Sequence, residues 1–239
     1  MRRYEGQDLF PGCRIAVIVN DALGNYVVST PLLQMLRQRH TPAVVHYYSG
    51  RRTEELWQND PNIDWGFPFF DATADQAIIS GQLPYDLVVN VESSDRAKVF
   101  CGALCRDESQ VCGPCIDPIV GVELPYLDDC IGHLATDTDW MSPDLANRYP
   151  ALDSGFIGEI FCRLAYLSGP VPGYSVPKLP PKISIPDVLV STSASLTSKL
   201  WESKKWVEAV RWLANQGFSI GVVGARPDLE RQFWCGYSV

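Results

Sequence analysis

The 239-residue sequence predicts an α/β protein built on parallel strands, and three observations carry that prediction. Short, nearly continuous apolar runs rich in β-branched residues recur along the chain, as expected of strands buried on both faces. Stretches with apolar residues at helical spacing separate them, the alternation that βαβ crossovers leave in a sequence. After a proline-dense stretch the same alternation starts again. With 46% hydrophobic and 20% charged residues the chain can bury a sizeable core, and its length allows one large domain or two.

The first run, Arg14-Ile15-Ala16-Val17-Ile18-Val19, reads as a buried strand, and Asn20 to Asn25 as the loop that follows it. Thr30 is placed to cap a helix with Pro31 at its first position, where a missing N–H costs nothing. Leu32, Leu33 and Leu36 then share one face before Arg37-Gln38-Arg39 ends the helix. Ala43 to Tyr48 is a second strand, and Thr53 to Gln58 a short helix halted by Asn59-Asp60-Pro61-Asn62. Tyr85 to Val91 is a further strand, with Ser94 to Leu104 as the returning helix. Asp117 to Pro150, with Gly, Pro and acidic residues and no clear period, predicts loops around a short helix or two. From Ser154 to Leu167, Phe156, Ile157, Ile160, Phe161 and Leu164 recur at helical spacing until Ser168-Gly169-Pro170 stops them.

Between Gly169 and Pro186 stand six prolines, a density that forbids regular helix and marks an extended, semi-rigid connector. The predicted organisation is therefore a first domain over 1–168, a connector over 169–186 and a second domain over 187–239. In the second, Val188 to Val190 reads as a strand, Ser203 to Asn215 as a helix and Phe218 to Val223 as a strand after Gly217. Gly224 to Asp228 should turn into another helix. Signals for only two strands precede the end, so the second domain is expected to be incomplete.

Formal net charge is -8, which works against attraction to nucleic acid or to an anionic membrane surface. The charged N-terminus is not followed by the apolar run of a signal peptide, and no stretch reaches the roughly 18 apolar residues of a membrane span. A cytoplasmic location is expected, with reduced thiols, so the eight cysteines are expected to be packed, metal-bound or reactive rather than paired.

In an open parallel sheet ligands sit beyond the carboxyl ends of the strands, which directs attention to two loops. One is Asn20 to Asn25. The other, Ser191 to Lys199, is small, hydroxyl-rich and ends in a lysine, so it offers N–H groups, hydroxyls and a cation to a phosphate, or is an ordinary loop with Ser and Thr caps. It lacks the spacing of a P-loop, and the absence of Gly-x-Gly-x-x-Gly argues against an NAD-type dehydrogenase.

These segments carry a resemblance. Arg14 to Val19 with Ala22-Leu23-Gly24-Asn25 and Ser29-Thr30-Pro31-Leu32-Leu33 is similar to the opening strand, Leu-Gly-Asp loop and Thr-Pro-Ala-Leu helix of glycosyltransferase family 9, the lipopolysaccharide heptosyltransferases. Pro84 to Asn90 resembles the family's Tyr-Asp-Leu-Val-Ile-Asp strand, and Ser193-Ala194-Ser195 to Lys199-Leu200-Trp201 its Gly-Ala-Ser-x-x-x-Lys-Arg-Trp motif. Trp206 to Val210 and Ile220 to Gly224 fit the helix and strand that follow. Each motif is only moderately specific; their order and spacing across nearly the whole chain carry the resemblance.

The resemblance implies a GT-B enzyme of two Rossmann-like domains, with the acceptor on the N-terminal one and an activated sugar on the C-terminal one. It implies inverting, metal-independent transfer of a heptose or related sugar from a nucleoside diphosphate to a glycan or glycolipid acceptor such as lipopolysaccharide core. No cofactor is implied beyond the donor itself, and peripheral association with the inner face of the cell membrane is compatible with such an acceptor. Ser193, Ser195, Ser198 and Lys199 would face the donor phosphates. Gly24 belongs to the first loop. Where the family usually has an aspartate as base, this chain has Asn25, whose amide cannot accept a proton at neutral pH. Either Asp21 in the same loop replaces it, or the protein binds without efficient transfer; Asp21 can equally be a loop-capping residue.

A competing constellation is cysteine-based. Cys112-Gly113-Pro114-Cys115 matches the thioredoxin redox tetrapeptide, and Cys101 and Cys105 lie upstream, which makes a redox pair or a four-thiolate metal site conceivable beside simple packing. The context is unfavourable, because Pro118 and Ile119-Val120 follow where a helix should start. His40, His46 and His133 show no ligand spacing.

Overall fold

The computed structural model describes residues 1–73, 84–178, 180–181, 183–192 and 197–224. The chain divides into two compact units, Met1–Pro177 and Lys178–Val239. The first contains β1 (Arg2–Arg3), β2 (Cys13–Ile18), α1 (Leu23–Arg39), β3 (Ala43–Tyr48), α2 (Glu54–Trp57) and β4 (Trp65–Phe67). It continues with β5 (Leu87–Asn90), α3 (Asp95–Leu104), β6 (Gln110–Cys112), α4 (Cys130–Thr136), α5 (Leu145–Arg148) and α6 (Ile157–Leu164). All six strands are parallel, in the order β1-β6-β5-β2-β3-β4. The chain winds outward from β2 through β3 to β4, then returns to the other side of β2 for β5 and β6, the doubly wound Rossmann-like topology with its switch point between β2 and β5.

The continuous apolar runs follow from burial on both faces. Alternate residues of a strand point to opposite sides. Accordingly Ile15, Val17, Val45, Tyr47, Leu87 and Val89 pack into one core with Leu32, Leu33 and Leu36 of α1 and Ile160 and Phe161 of α6. Ala16, Ile18, Tyr48 and Val88 pack into a second core with Ala97, Phe100, Cys101 and Leu104 of α3. The strands β1, β4 and β6, of two or three residues each, are too short to leave a periodic signal of their own.

The start of α1 differs most from expectation, and α6 is also shorter than the expected Ser154–Leu167, running Ile157–Leu164. Helix α1 starts at Leu23, not at Pro31, so Gly24 and Asn25 lie in its first turn and only Asn20 to Ala22 form the loop. Proline is tolerated inside it because the carbonyl that Pro31 cannot reach is otherwise engaged: the Thr30 hydroxyl donates to Val27 O at 2.8 Å. Elsewhere β3 and its expected span coincide, and 117–150 contains the short helices α4 and α5.

The first part of the proline-dense segment rests on the first unit. Gln34 Nε2 donates to Gly173 O at 3.1 Å, and Ser175 N to the Thr30 hydroxyl at 3.0 Å. Helix α6 is pinned by a buried pair, Arg163 Nη2 to Glu159 Oε1 at 2.9 Å, while Arg163 also donates to the carbonyls of Ala151, Leu167 and Gly169.

The second unit contains β7 (Val188–Ser191), α7 (Ser203–Asn215) and β8 (Ile220–Val223), with the two strands parallel. Gly217, at φ +87°, takes the left-handed conformation that ends α7 and turns the chain into β8. Among the described residues no helix is long and apolar enough to cross a membrane.

Candidate functional site

The carboxyl ends of β2, β3, β5 and β6 present four loops side by side, and one asparagine joins three of them. Asn20 donates from Nδ2 to Glu92 Oε2 at 2.8 Å across the switch point, accepts Ala22 N on Oδ1 at 3.0 Å, and accepts the Ser49 hydroxyl on its main-chain oxygen at 2.8 Å. Glu92 holds its own turn through Ser94 N, which donates to Oε1 at 3.0 Å. Buried Asn90 extends the chain of bonds to the fourth loop, accepting Glu92 N at 2.9 Å and donating to Pro114 O at 2.7 Å. Two glycines allow this close approach. A Cβ on Gly50 would stand 2.2 Å from that of Asp21, and one on Gly113, at φ +80°, would stand 1.8 Å from Asn90 O.

Asp21 is half-buried on this edge, and among the described residues no hydrogen bond or ion pair takes up its carboxylate. Beside it the 17-residue helix α1 opens with Ala22 at its N-cap, so no side chain caps its first amides. Asn25 sits half-buried in that first turn. Gly24 is exposed with nothing within 4 Å of an added Cβ, so neither packing nor backbone requires glycine there. The chemical content of the edge is thus one unengaged carboxylate, Asp21, next to an uncapped helix start, with Glu92 already committed on both oxygens. Glu92, Ser49 and Gly50 went unread in the sequence, and Asn20 was read only as part of its loop; the signal available for Glu92 was a carboxylate directly after an apolar strand.

The other expected site residues lie in the second unit. Ser198 and Lys199 are exposed in a single 3-10 turn, Thr197–Lys199, downstream of β7. Ser193 and Ser195 lie outside the described residues.

The cysteine tetrapeptide does not form a redox pair. Cys112, at the end of β6, points into the core beneath α1, whereas Cys115 points into the opposite core with Cys101 and Cys105. The turn at Gly113 sends the two thiols to different faces of the sheet, and no helix starts at Cys112. Among the described residues no group of three or more His, Cys, Asp or Glu is arranged to hold a metal ion. His46 is buried and bonded to Tyr85 Oη at 2.7 Å, and burial lowers its pKa below the ordinary value.

With the geometry in place, the fold has counterparts among solved structures. A family 9 glycosyltransferase from Veillonella parvula superposes with a TM-score of 0.59 over 91% of this chain and 64% of that one, at 12% identity. The fold is that of the family 9 glycosyltransferases. The E. coli heptosyltransferase WaaC with ADP-2-deoxy-2-fluoro heptose matches at 0.57 over 94% of this chain and 74% of that one, at 12% identity. The E. coli ADP-heptose lipopolysaccharide heptosyltransferase II matches at 0.56 over 90% and 65%, at 15% identity. The chain therefore spans less than two thirds of the first and last of these proteins. No protein-family model matches the sequence, and no curated protein matches it.

Proposed function

We propose that this chain belongs to a nucleotide-sugar-dependent glycosyltransferase, with the first unit on the acceptor side and the second beginning the donor side. The observation that carries the reading is the GT-B likeness over nine tenths of the chain, coupled to the hydrogen-bonded loops that bring Asn20, Asp21 and Glu92 to the switch point of the first sheet. The donor would be a nucleoside-diphosphate heptose or related sugar, the acceptor a glycan or glycolipid such as lipopolysaccharide core. Such an acceptor suits work at the inner, cytoplasmic face of the cell membrane.

In this scheme Asp21 takes the proton of the acceptor hydroxyl while its oxygen attacks the anomeric carbon from the face opposite the leaving diphosphate, inverting that centre. Asp21 is preferred to Glu92 because its carboxylate is unengaged, and to Asn25 because an amide cannot serve. Lys199, with Ser193, Ser195 and Ser198, would stabilise the departing diphosphate by charge-assisted hydrogen bonds, so no metal is required.

A second reading, binding of nucleotide and glycan without transfer, is favoured by Asn25 at the position where the resembled family carries its base. One experiment addresses both. Thermal unfolding is followed with ADP, GDP, UDP and CDP, and hydrolysis or transfer of the corresponding sugar nucleotide is then assayed. Selective stabilisation by one diphosphate is expected, because a ligand that binds only the native state raises its stability. No stabilisation by any of them removes both readings. Binding with turnover that Asp21→Asn abolishes supports transfer, and binding without turnover supports the second reading.

A further inference from the structure

The loop that leaves the carboxyl end of β6 carries an apolar tip. From Asp117 to Val122 it doubles back on itself, with Asp117 N donating to Val122 O at 2.9 Å and Gly121 N to Asp117 O at 2.8 Å. Ile119, Val120 and Val122 stand on this tip 87%, 64% and 59% exposed. The tip is fixed to α3, because Ile116 N donates to Lys98 O at 3.1 Å and Pro118 Cδ lies 3.2 Å from where a Cβ on Gly102 would stand. Val99, 54% exposed, is one turn before Gly102 on the same side of that helix, so it extends the apolar surface.

The main chain sets this tip apart from an ordinary exposed loop. One oxygen of the Asp117 carboxylate accepts Ile119 N at 2.8 Å and Val120 N at 3.3 Å, and Pro118 has no N–H to satisfy. Every amide from Asp117 to Gly121 is therefore bonded within the tip. Water would serve such amides equally well, whereas in hydrocarbon an unpaired one is heavily penalised. From Pro118 to Val122 the tip has no charged side chain, and at its base Glu123 is paired with Lys98 at 2.8 Å.

We propose that Ile119, Val120 and Val122, with Val99 beside them, insert into the surface of a lipid bilayer. The tip projects aliphatic side chains while keeping its amides paired internally, which suits lipid and leaves a protein partner few hydrogen bonds to make. Lipid also follows from the proposed function, since an enzyme with a glycolipid acceptor works at the surface that holds it, and this step rests on that reading. The same loop carries Pro114 O, the anchor of Asn90, so a tip seated in lipid holds the switch-point edge near the membrane. Charge does not contribute. With formal net charge -8 the chain is repelled by an anionic surface, so the attraction is apolar burial, and a few aliphatic side chains give weak, reversible binding.

The test sediments the full chain, without nucleotide, with rising amounts of phosphatidylcholine vesicles and of vesicles in which one-third of the lipid is phosphatidylglycerol. The parent is expected to bind the neutral vesicles, to bind the anionic ones less at low salt, and to regain binding there as salt screens the repulsion. Ile119→Ser combined with Val120→Ser should lower partition into neutral vesicles about tenfold or more, since two aliphatic side chains no longer leave water. Its melting temperature and its response to ADP should stay those of the parent, because both positions are exposed. No partition of the parent, equal partition of parent and variant, or stronger binding to the anionic vesicles would each overturn the proposal. Self-association of the parent that the variant lacks, with no binding to vesicles, would overturn it too and make the tip an interface between copies. Vesicle binding lost in the variant, with no stabilisation of either protein by any nucleoside diphosphate, would leave the tip assigned and remove the proposed function instead.

Discussion

The two sheets are written in the same strand-helix-strand grammar and are buried very differently. In the first unit all four residues of β5 are buried, and helices cover both faces of the central strands. In the second, only Val190 of β7 is buried, Leu189 is 54% exposed, and no residue of β8 is fully covered. Trp212 on α7 and Phe218 before β8 are exposed as well. An apolar run therefore specifies a strand, but the cores that strand supports depend on how many elements close over it. The first unit adds buried polar fastenings, such as Glu159 with Arg163 and Asn90 with Glu92, that have no described counterpart in the second.

The sharpest way to test this contrast is to cut one of those fastenings. Removing Glu159 leaves the buried Arg163 with only the exposed Asp153 at 3.3 Å as a carboxylate partner, so Glu159→Ala should destabilise the first unit by about 3 kcal/mol in denaturant unfolding. The same carboxyl sets a pH dependence. Burial raises its pKa, but the Ser154 hydroxyl, the Asp153 amide and Arg163 outweigh burial and hold it below the ordinary value. A depressed carboxyl pKa contributes stability that is present above the unfolded-state value and is lost as pH falls through the folded one. Acid sensitivity of the parent should thus be steeper below the ordinary carboxylate range than that of Glu159→Ala, and identical acid profiles would show that the pair contributes nothing.

Next in size is a matched pair of truncations. Leu87→Ala, at a fully buried position in β5, should cost about 2–5 kcal/mol. Leu189→Ala, at the half-exposed position in β7, should stay within about 1 kcal/mol. Equal costs would break the comparison, because they would mean that the second sheet is as fully packed as the first.

What the sequence made legible follows the same division. The strand runs at Ala43 to Tyr48 and around Cys13 to Ile18, and helix Ser203–Asn215, were readable because periodicity and caps are local properties. The start of α1 was not, because the feature that admits Pro31 is one side-chain bond from Thr30 to Val27 O. The switch-point edge was half legible. Asp21 could be read from its loop, but Glu92 and Asn20 lie 72 positions apart and meet only because the topology puts β5 beside β2. The tetrapeptide at Cys112 misled for the complementary reason, since a local motif cannot reveal that Gly113 sends its two thiols to opposite faces.

The smallest expected effect separates what the second unit contributes to binding from what it contributes to stability. Lys199 is exposed in the turn downstream of β7 and has no ion-pair partner among the described residues, so it adds nothing to a core. If the proposed donor role holds, its ammonium forms a charge-assisted bond to a diphosphate oxygen, and Lys199→Ala should weaken ADP binding about tenfold, or roughly 1.4 kcal/mol. Unfolding of the first unit should be unchanged, because Lys199 belongs to the other unit and sites without shared partners act independently. Added salt should erode the parent's affinity toward that of the variant, since an exposed charge is screened. Titration calorimetry at two ionic strengths, with melting curves of both proteins, reads all three quantities. Undiminished ADP affinity in Lys199→Ala would remove the lysine from the donor site. A loss of affinity accompanied by a lowered melting temperature would instead make Lys199 a structural residue, and the second unit would then resemble the first more than the exposure of its strands indicates.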